Sequence, residues 1–276
     1  MYSLKYKVTT STCDSEGRLK LFSALQMMQD CSEMWIDTEP AVKEYFEREN
    51  MAQLLASRQV EIVRVPRYKE SLYVETSVWG MKSMFGFRNT FIYDAEGQPC
   101  YRTWSQGAFV NKATGRLAKV SDEVASQMEI VERKPMTYLD RRIILPKDQP
   151  LVEHPAVLVQ RNDIDYNRHM NNANYVRLAM ELLPEDFEVK GMRVEYKIPA
   201  KLGNELIPQT IETADAFYVQ LMLDGRVSTV IELTNEGGVR EVDNLVEGTR
   251  RAEGKLACTM PCKEEVDRRS TEKIKK

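Results

Sequence analysis

One stretch of the chain concentrates groups able to move protons: Arg161-Asn162-Asp163-Ile164-Asp165-Tyr166-Asn167-Arg168-His169-Met170-Asn171-Asn172-Ala173-Asn174-Tyr175. His169 is one of only two histidines in 276 residues. Asp165, Asn167 and His169 are spaced two apart. In an extended segment, residues i, i+2 and i+4 project to the same side. A carboxylate, an amide and an imidazole would then share one small volume, where they can accept, orient and donate protons near neutral pH.

The element that must position this triplet follows it directly. Asn171 and Asn172 suit a helix N-cap, and Tyr175, Leu178, Ala179 and Leu182 form an apolar stripe at helical spacing that Pro184 ends. The backbone N–H groups at Asn171, Asn172 and Ala173, at the positive end of the helix dipole, suit an anion or a developing oxyanion. A plainer reading stands beside this one: an Asx-rich turn caps a helix, and His169 is a loop residue.

Upstream, residues 4–12 read as a strand, 13–18 as a turn, and Leu21 to Ile36 as a helix with a stripe of Leu21, Leu25, Met28 and Trp35. A possible short helix lies in 39–50. Strands are expected over 59–65, 72–79, 85–93 and 100–110, separated by turn residues. The segment 135–150, with Pro135, Pro146 and Pro150, reads as a linker, and then the pattern restarts. A strand over 157–160, the polar motif, a helix over 171–183, and strands expected over 192–198, 206–223, 226–234 and 239–246 repeat the first half. Placing Asp14 on Asp165 aligns Leu19 with Met170, Leu25 with Val176, Glu16 with Asn167 and Arg18 with His169. The first copy keeps the strand–turn–helix but lacks the triplet, so one active site per chain is expected.

The segment Asp-Ile-Asp-Tyr-Asn-Arg-His-Met-Asn-Asn-x-x-Tyr (residues 163–175) resembles the active-site motif of the acyl-ACP thioesterases. Supporting stretches are 58–66 and Glu195-Tyr196-Lys197, and the likeness runs to about residue 250. It implies an α+β double hotdog: two tandem copies of a long antiparallel sheet wrapped around a central helix. The expected organisation is an acyl-binding first copy (1–134), a linker (135–150), a catalytic second copy (151–257) and a charged tail (258–276). The resemblance implies hydrolysis of a fatty acyl-ACP thioester without a cofactor or metal. Asp165 would orient or deprotonate water, Asn167 would hold the water or the carbonyl, and His169 would donate to the thioester oxygen or assist the departing thiolate. Met27, Met28, Trp35, Trp79, Phe85 and Phe87 are candidates for an acyl wall, although each is also ordinary core material. Arg168, Arg177, Lys197 and Lys201 are candidates for landing an acidic carrier protein.

One departure stands out. The family commonly carries a glutamate, and in plant members a cysteine, on the strand after the motif helix. Alignment through Glu195-Tyr196 puts Pro199 and Ala200 there. A cysteine nucleophile at that site is excluded. Asp165 remains the best base, with Glu195 and Glu205 as neighbouring carboxylates. An acyl-CoA thioesterase of hotdog type and a non-hydrolysing acyl-binding protein are the alternatives. A hydratase is disfavoured because its Asp and His stand five apart, against four here.

A net charge of -3, from 39 basic and 42 acidic residues, argues against nucleic-acid binding. No run of ~18 apolar residues predicts a membrane span, and the first residues read as a strand rather than a signal peptide. The odd set Cys13, Cys31, Cys100, Cys258 and Cys262 suggests free thiols and a cytoplasmic setting. Cys258 and Cys262 alone make a poor zinc site. Because the double hotdog is its own pseudo-dimer, either a monomer or a homodimer is compatible.

Overall fold

The computed structural model describes residues 1–236. The expected strand over 239–246, Cys258 and Cys262, and the charged tail lie outside the described residues. The first copy runs β1 (Tyr2–Lys7), α1 (Leu21–Met34), α2 (Pro40–Arg48), β2 (Met51–Ile62), β3 (Ser71–Lys82), β4 (Phe85–Asp94), β5 (Pro99–Asn111) and the short α3 (Asp122–Ala125). The second runs β6 (Val152–Glu153), β7 (Val157–Leu158), α4 (Asn172–Met180), β8 (Gly191–Tyr196), β9 (Glu205–Glu212), β10 (Ala216–Leu223) and β11 (Arg226–Thr234).

All strands join one 11-stranded sheet in the order β1-β3-β4-β5-β2-β8-β11-β10-β9-β6, with β7 also on β9. The copies meet where β2 pairs antiparallel with β8. That register is reciprocal: Arg58 faces Val194 and Val60 faces Met192. Helices α1 and α4 pack on the same side and touch each other. Leu25, Met28, Val176 and Ala179 from the helices and Val60, Met192, Val194 and Ile231 from the sheet share one core. This is the double hotdog.

The duplication holds at the level of single hydrogen bonds. Lys20 N–H donates to Thr12 O at 3.0 Å, and Asn171 N–H donates to Asp163 O at 2.8 Å. Leu19 N–H reaches Pro66 O, and Met170 N–H reaches Ala200 O, both at 2.8 Å. The register read from Asp14 and Asp165 is therefore the structural one.

The segment expected as a linker, together with the residues that lead into it from Val131, is a strap across the far face of the sheet. Val131 N–H donates to Val78 O at 3.0 Å, and Leu139 N–H to Gln59 Oε1 at 2.9 Å. Tyr138 packs against both Trp79 and Trp104. Ile143 closes a small cluster with Ile211, Tyr218 and Val230. With helices on one side and the strap on the other, central strands are covered on both faces and lose the alternation of a half-exposed strand. Two boundaries differ for local reasons. β2 starts at Met51, well before the alternating stretch. The expected single strand over 206–223 is two, turned at Thr213–Asp215, where Thr213 Oγ1 accepts from Ala216 N–H at 3.1 Å.

Candidate active site

The polar triplet is held in a closed turn, not in an extended strand as its spacing suggested. Asp165 N–H donates to His169 O at 2.9 Å, and Arg168 N–H donates to Asp165 O at 3.0 Å. Ile164 and Met170 form a bridge at the neck of this loop. Loop closure puts Asp165 and His169 within electrostatic reach of each other, while Asn167 meets Asp165 through its backbone only. Asp165 Oδ1 accepts from Asn167 N–H at 2.9 Å, an Asx turn. Asp14 does the same for Glu16 N–H at 2.9 Å in the first copy. One carboxylate oxygen is therefore a turn-former in both copies. The other differs: Asp14 Oδ2 accepts from Arg18 Nε at 3.0 Å, whereas no protein group bonds Asp165 Oδ2 among the described residues. His169 stands where Arg18 stood.

His169 is half-buried, and its environment is directional. Burial pushes the imidazole below its ordinary value, Lys201 adds to this, and Asp165 opposes it. At neutral pH the ring is neutral, and so able to accept a proton or donate its N–H. Arg168 adopts a left-handed φ of 62° where the first copy has Gly17 at 74°, a conformation that costs a side-chain-bearing residue roughly 1–2 kcal/mol. Asn167 is exposed at the loop tip.

The helix behind the loop is capped as the sequence indicated: Asn171 Oδ1 accepts from Ala173 N–H at 3.0 Å. This changes the oxyanion expectation. Ala173 N–H is engaged by the cap and Asn171 N–H by Asp163 O. Of those three donors, Asn172 N–H is the one without a partner among the described residues. Asn172 O accepts from the buried Tyr196 hydroxyl at 2.9 Å.

Sequence reasoning passed over three positioning residues. Asp163 is a hub: its carboxylate takes Gln160 N–H and the Arg177 guanidinium, each at 2.8 Å, and its carbonyl takes Asn171 N–H and Asn174 Nδ2. Tyr175 is buried under the loop, and its hydroxyl accepts Ala200 N–H at 2.8 Å. Tyr166 reaches across the copies to donate to Glu33 Oε2 on α1 at 3.0 Å. The Asp163 signal was present, because the motif carries two aspartates and the first copy has Thr12 there. The other two contacts are long-range and left no local trace.

Several expected assignments change. Glu195 sits on the strap side of β8, paired with Arg141 and Lys197, and points away from the loop. Glu205 is exposed at the start of β9, opposite Leu158. Pro199 is exposed and Ala200 buried, and Ala200 contributes only backbone bonds. Arg177 is tied to Asp163 and Lys197 to Glu195, which leaves Arg168 and Lys201 as the basic candidates without an ion pair among the described residues. Of the acyl-wall candidates, Met27 and Met28 lie in the main core, and Trp35 follows α1 beneath Arg88. Trp79 and Phe87 stack on each other on the strap side, against Tyr138, and so belong to the opposite face of the sheet from the helices. Phe85 opens β4 opposite Ala108, at the strand end.

The acyl-ACP thioesterase N-terminal domain family matches residues 1–128, and the acyl-ACP thioesterase C-terminal domain family matches residues 149–236. The chain belongs to the acyl-ACP thioesterase family. Among curated relatives, a chloroplastic palmitoyl-acyl carrier protein thioesterase of Gossypium hirsutum is 25% identical over 175 residues, covering 60% of this chain and 42% of the relative. A chloroplastic oleoyl-acyl carrier protein thioesterase of Arabidopsis thaliana is 26% identical over 162 residues, covering 51% of this chain and 42% of the relative. The chain thus spans about two fifths of the length of the curated relatives it matches. Among solved structures, an acyl-ACP thioesterase from Bacteroides thetaiotaomicron superposes with a TM-score of 0.74 at 20% identity, covering 84% of this chain and 96% of that one. A 12:0-ACP thioesterase from Umbellularia californica gives 0.72 at 15% identity, covering 84% and 95%. These structures share the fold of this acyl-ACP thioesterase family member.

Proposed function

We propose that this protein hydrolyses fatty acyl-ACP thioesters to the free fatty acid and the carrier protein, at the loop formed by Asp165, Asn167 and His169. The observation that carries the reading is the asymmetry of the duplication. Two loops share one backbone bonding scheme, yet one closes its carboxylate with Arg18 and the other leaves Asp165 Oδ2 open beside a neutral imidazole.

In this mechanism water, held by Asn167, attacks the thioester carbon while Asp165 Oδ2 takes its proton. The carbonyl oxygen gains the negative charge, near the Asn172 N–H and the positive end of α4. The oxyanion collapses, the C–S bond breaks, and the thiolate leaves with a proton delivered by way of His169. The exposed Arg168 and Lys201 form the side on which an acidic carrier would land. The unpaired thiols Cys13, Cys31 and Cys100 fit a reducing compartment such as the cytoplasm.

The test is free-thiol release from acyl-ACPs and matching acyl-CoAs by wild type and His169→Ala. Release from ACP substrates that falls roughly 10²-fold or more in the variant supports the reading. Equal use of CoA substrates would favour an acyl-CoA thioesterase. No release from either, with the protein folded, would favour a non-hydrolysing acyl-binding protein, the reading that Pro199 in place of the family's carboxylate motivates.

A further inference from the structure

The inner face of the sheet carries a polar row in the first copy that the second copy lacks. Arg88 on β4 faces Ser105 on β5, and Ser105 faces Arg58 on β2. The matched bonds of Pro66 and Ala200 set the correspondence of β2 and β8, which places Arg58 on Met192. Following the ladders outward places Ser105 on Leu233 and Arg88 on Phe217. Met192, Leu233 and Phe217 are ordinary members of the main core. The same architecture is therefore closed by hydrocarbon at this row in one copy, so the fold itself does not require two arginines there.

Both arginines are buried, Arg58 at 5% and Arg88 at 6% exposure. Among the described residues, neither makes an ion pair. Arg58 has one long contact, Nη1 to Leu25 O at 3.5 Å, and its Nε has no partner. Arg88 donates to Thr76 Oγ1 at 3.2 Å and lies 4.2 Å over the Trp35 ring. Glu33 acts on Arg58 and Glu39 on Arg88 through space only, while the two guanidiniums repel each other. Burial lowers both from their ordinary values, Arg88 to about 10, which leaves it charged at neutral pH. Buried guanidiniums without a carboxylate are costly, and they persist where something else supplies the anion. Beside Arg88 the wall turns to hydrocarbon: Trp35, Phe46, Val78, Met81 and Phe109 line a narrow crevice between the sheet and α2. Arg88 lines this crevice and Arg58 stands two strands away across Ser105, so a cationic row ending at an apolar crevice matches an amphiphile with one anionic end.

We propose that Arg58 and Arg88 form a carboxylate-binding site inside the first copy, which takes an alkyl chain ending in a carboxylate. Two strand spacings separate their backbones, about 10 Å, so long side chains can reach one carboxylate over Ser105 from both sides. The carboxylate has two sources: the fatty acid released by hydrolysis, or a second carboxylate at the far end of an acyl chain. The thioester arm of the test rests on the proposed hydrolysis; the binding arm does not.

Dodecanoate, dodecanedioate and dodecanol are titrated against the full chain by calorimetry, with thermal melting in parallel. The site requires both carboxylates to bind wild type and dodecanol to bind weakly. Replacing the pair with apolar residues, Arg58→Met with Arg88→Met, should keep the protein folded, with a melting temperature at or above wild type, and weaken carboxylate binding roughly tenfold or more. Arg58→Lys with Arg88→Lys keeps the charge, loses the fork, and should weaken binding by less. Wild-type affinity that is the same for dodecanol and dodecanoate, or carboxylate affinity unchanged in either double variant, would overturn the site. Preferred hydrolysis of a dodecanedioyl thioester, lost in Arg88→Met, assigns it to the distal carboxylate. Equal binding of dodecanoate and dodecanedioate with no such preference assigns it to the product.

Discussion

Removing one oxygen atom, in Tyr175→Phe, tests how the loop is anchored. The ring is 2% exposed, and its hydroxyl is the hydrogen-bond acceptor for Ala200 N–H at 2.8 Å, in a residue with no exposed surface. Ala200 O in turn accepts Met170 N–H at the neck of the Asp165–His169 loop. Phenylalanine fills the same space, so no cavity forms, but the amide is left buried without a partner. Ser228, also within reach of the phenol, keeps its bond to Ile198 O at 2.6 Å, so the loss falls on Ala200 alone. An orphaned buried donor costs about 1–3 kcal/mol, against a smaller net value for the bond itself. A value of about 2 kcal/mol lowers the melting temperature by about 4–8 °C for a chain of this size. Differential scanning calorimetry of wild type and variant reads this directly, with His169→Ala as a loop control that leaves the anchor in place. A shift below about 1 °C would mean that the anchor is not this bond.

Arg168→Gly should stabilise by up to about 1 kcal/mol, because glycine relieves the left-handed strain at a small entropic cost, and Gly17→Ala should destabilise by a similar amount, both read by urea titration. His169 titrates below 6.5, so kcat/KM should fall as pH drops through that lowered value. Followed by NMR titration of the imidazole, Lys201→Met should move its pKa up and Asp165→Asn should move it down, since those residues act in opposite senses on the ring. The same shift has a stability sign: below 6.5 the unfolded chain takes up a proton that folded His169 resists, so stability drops as pH is lowered, until the folded value is passed. Stability that rises as pH is lowered through that window in wild type but not in His169→Ala would contradict it. Tyr138→Ala removes the strap ring that packs against Trp79 and Trp104 and should cost roughly 3 kcal/mol by chemical denaturation, while Tyr166→Phe, at an exposed ring, should change stability by less than about 0.5 kcal/mol.

Much of this protein was legible in the chain because the signals are local. The Asx turn at Asp165, the cap at Asn171 and the helix behind them depend on residues a few positions apart, and their side chains bond their own neighbourhood. The duplication was legible for the same reason, since equivalent turns repeat equivalent residues. The shape of the triplet was not. Spacing by two indicated an extended segment, but the bonds from Asp165 N–H to His169 O and from Met170 N–H to Ala200 O close it into a loop, and the second partner is 30 residues away.

Tertiary structure alone decided which face each aromatic serves. Strands covered on both sides carry apolar and polar residues on either face, so the β4 sequence does not say that Phe87 lies under the strap while Arg88 lies under the helices. It also decided which donors remain free at the helix start, that Glu195 faces Arg141, and that Tyr166 reaches Glu33 in the other copy. Each is a contact between segments distant in the chain. A sequence specifies such contacts only through the packing of the whole sheet, which single-chain periodicity cannot express. The residue types of the loop were thus written locally, and the surroundings that set its charge and its anchor were set by how the two copies share one sheet.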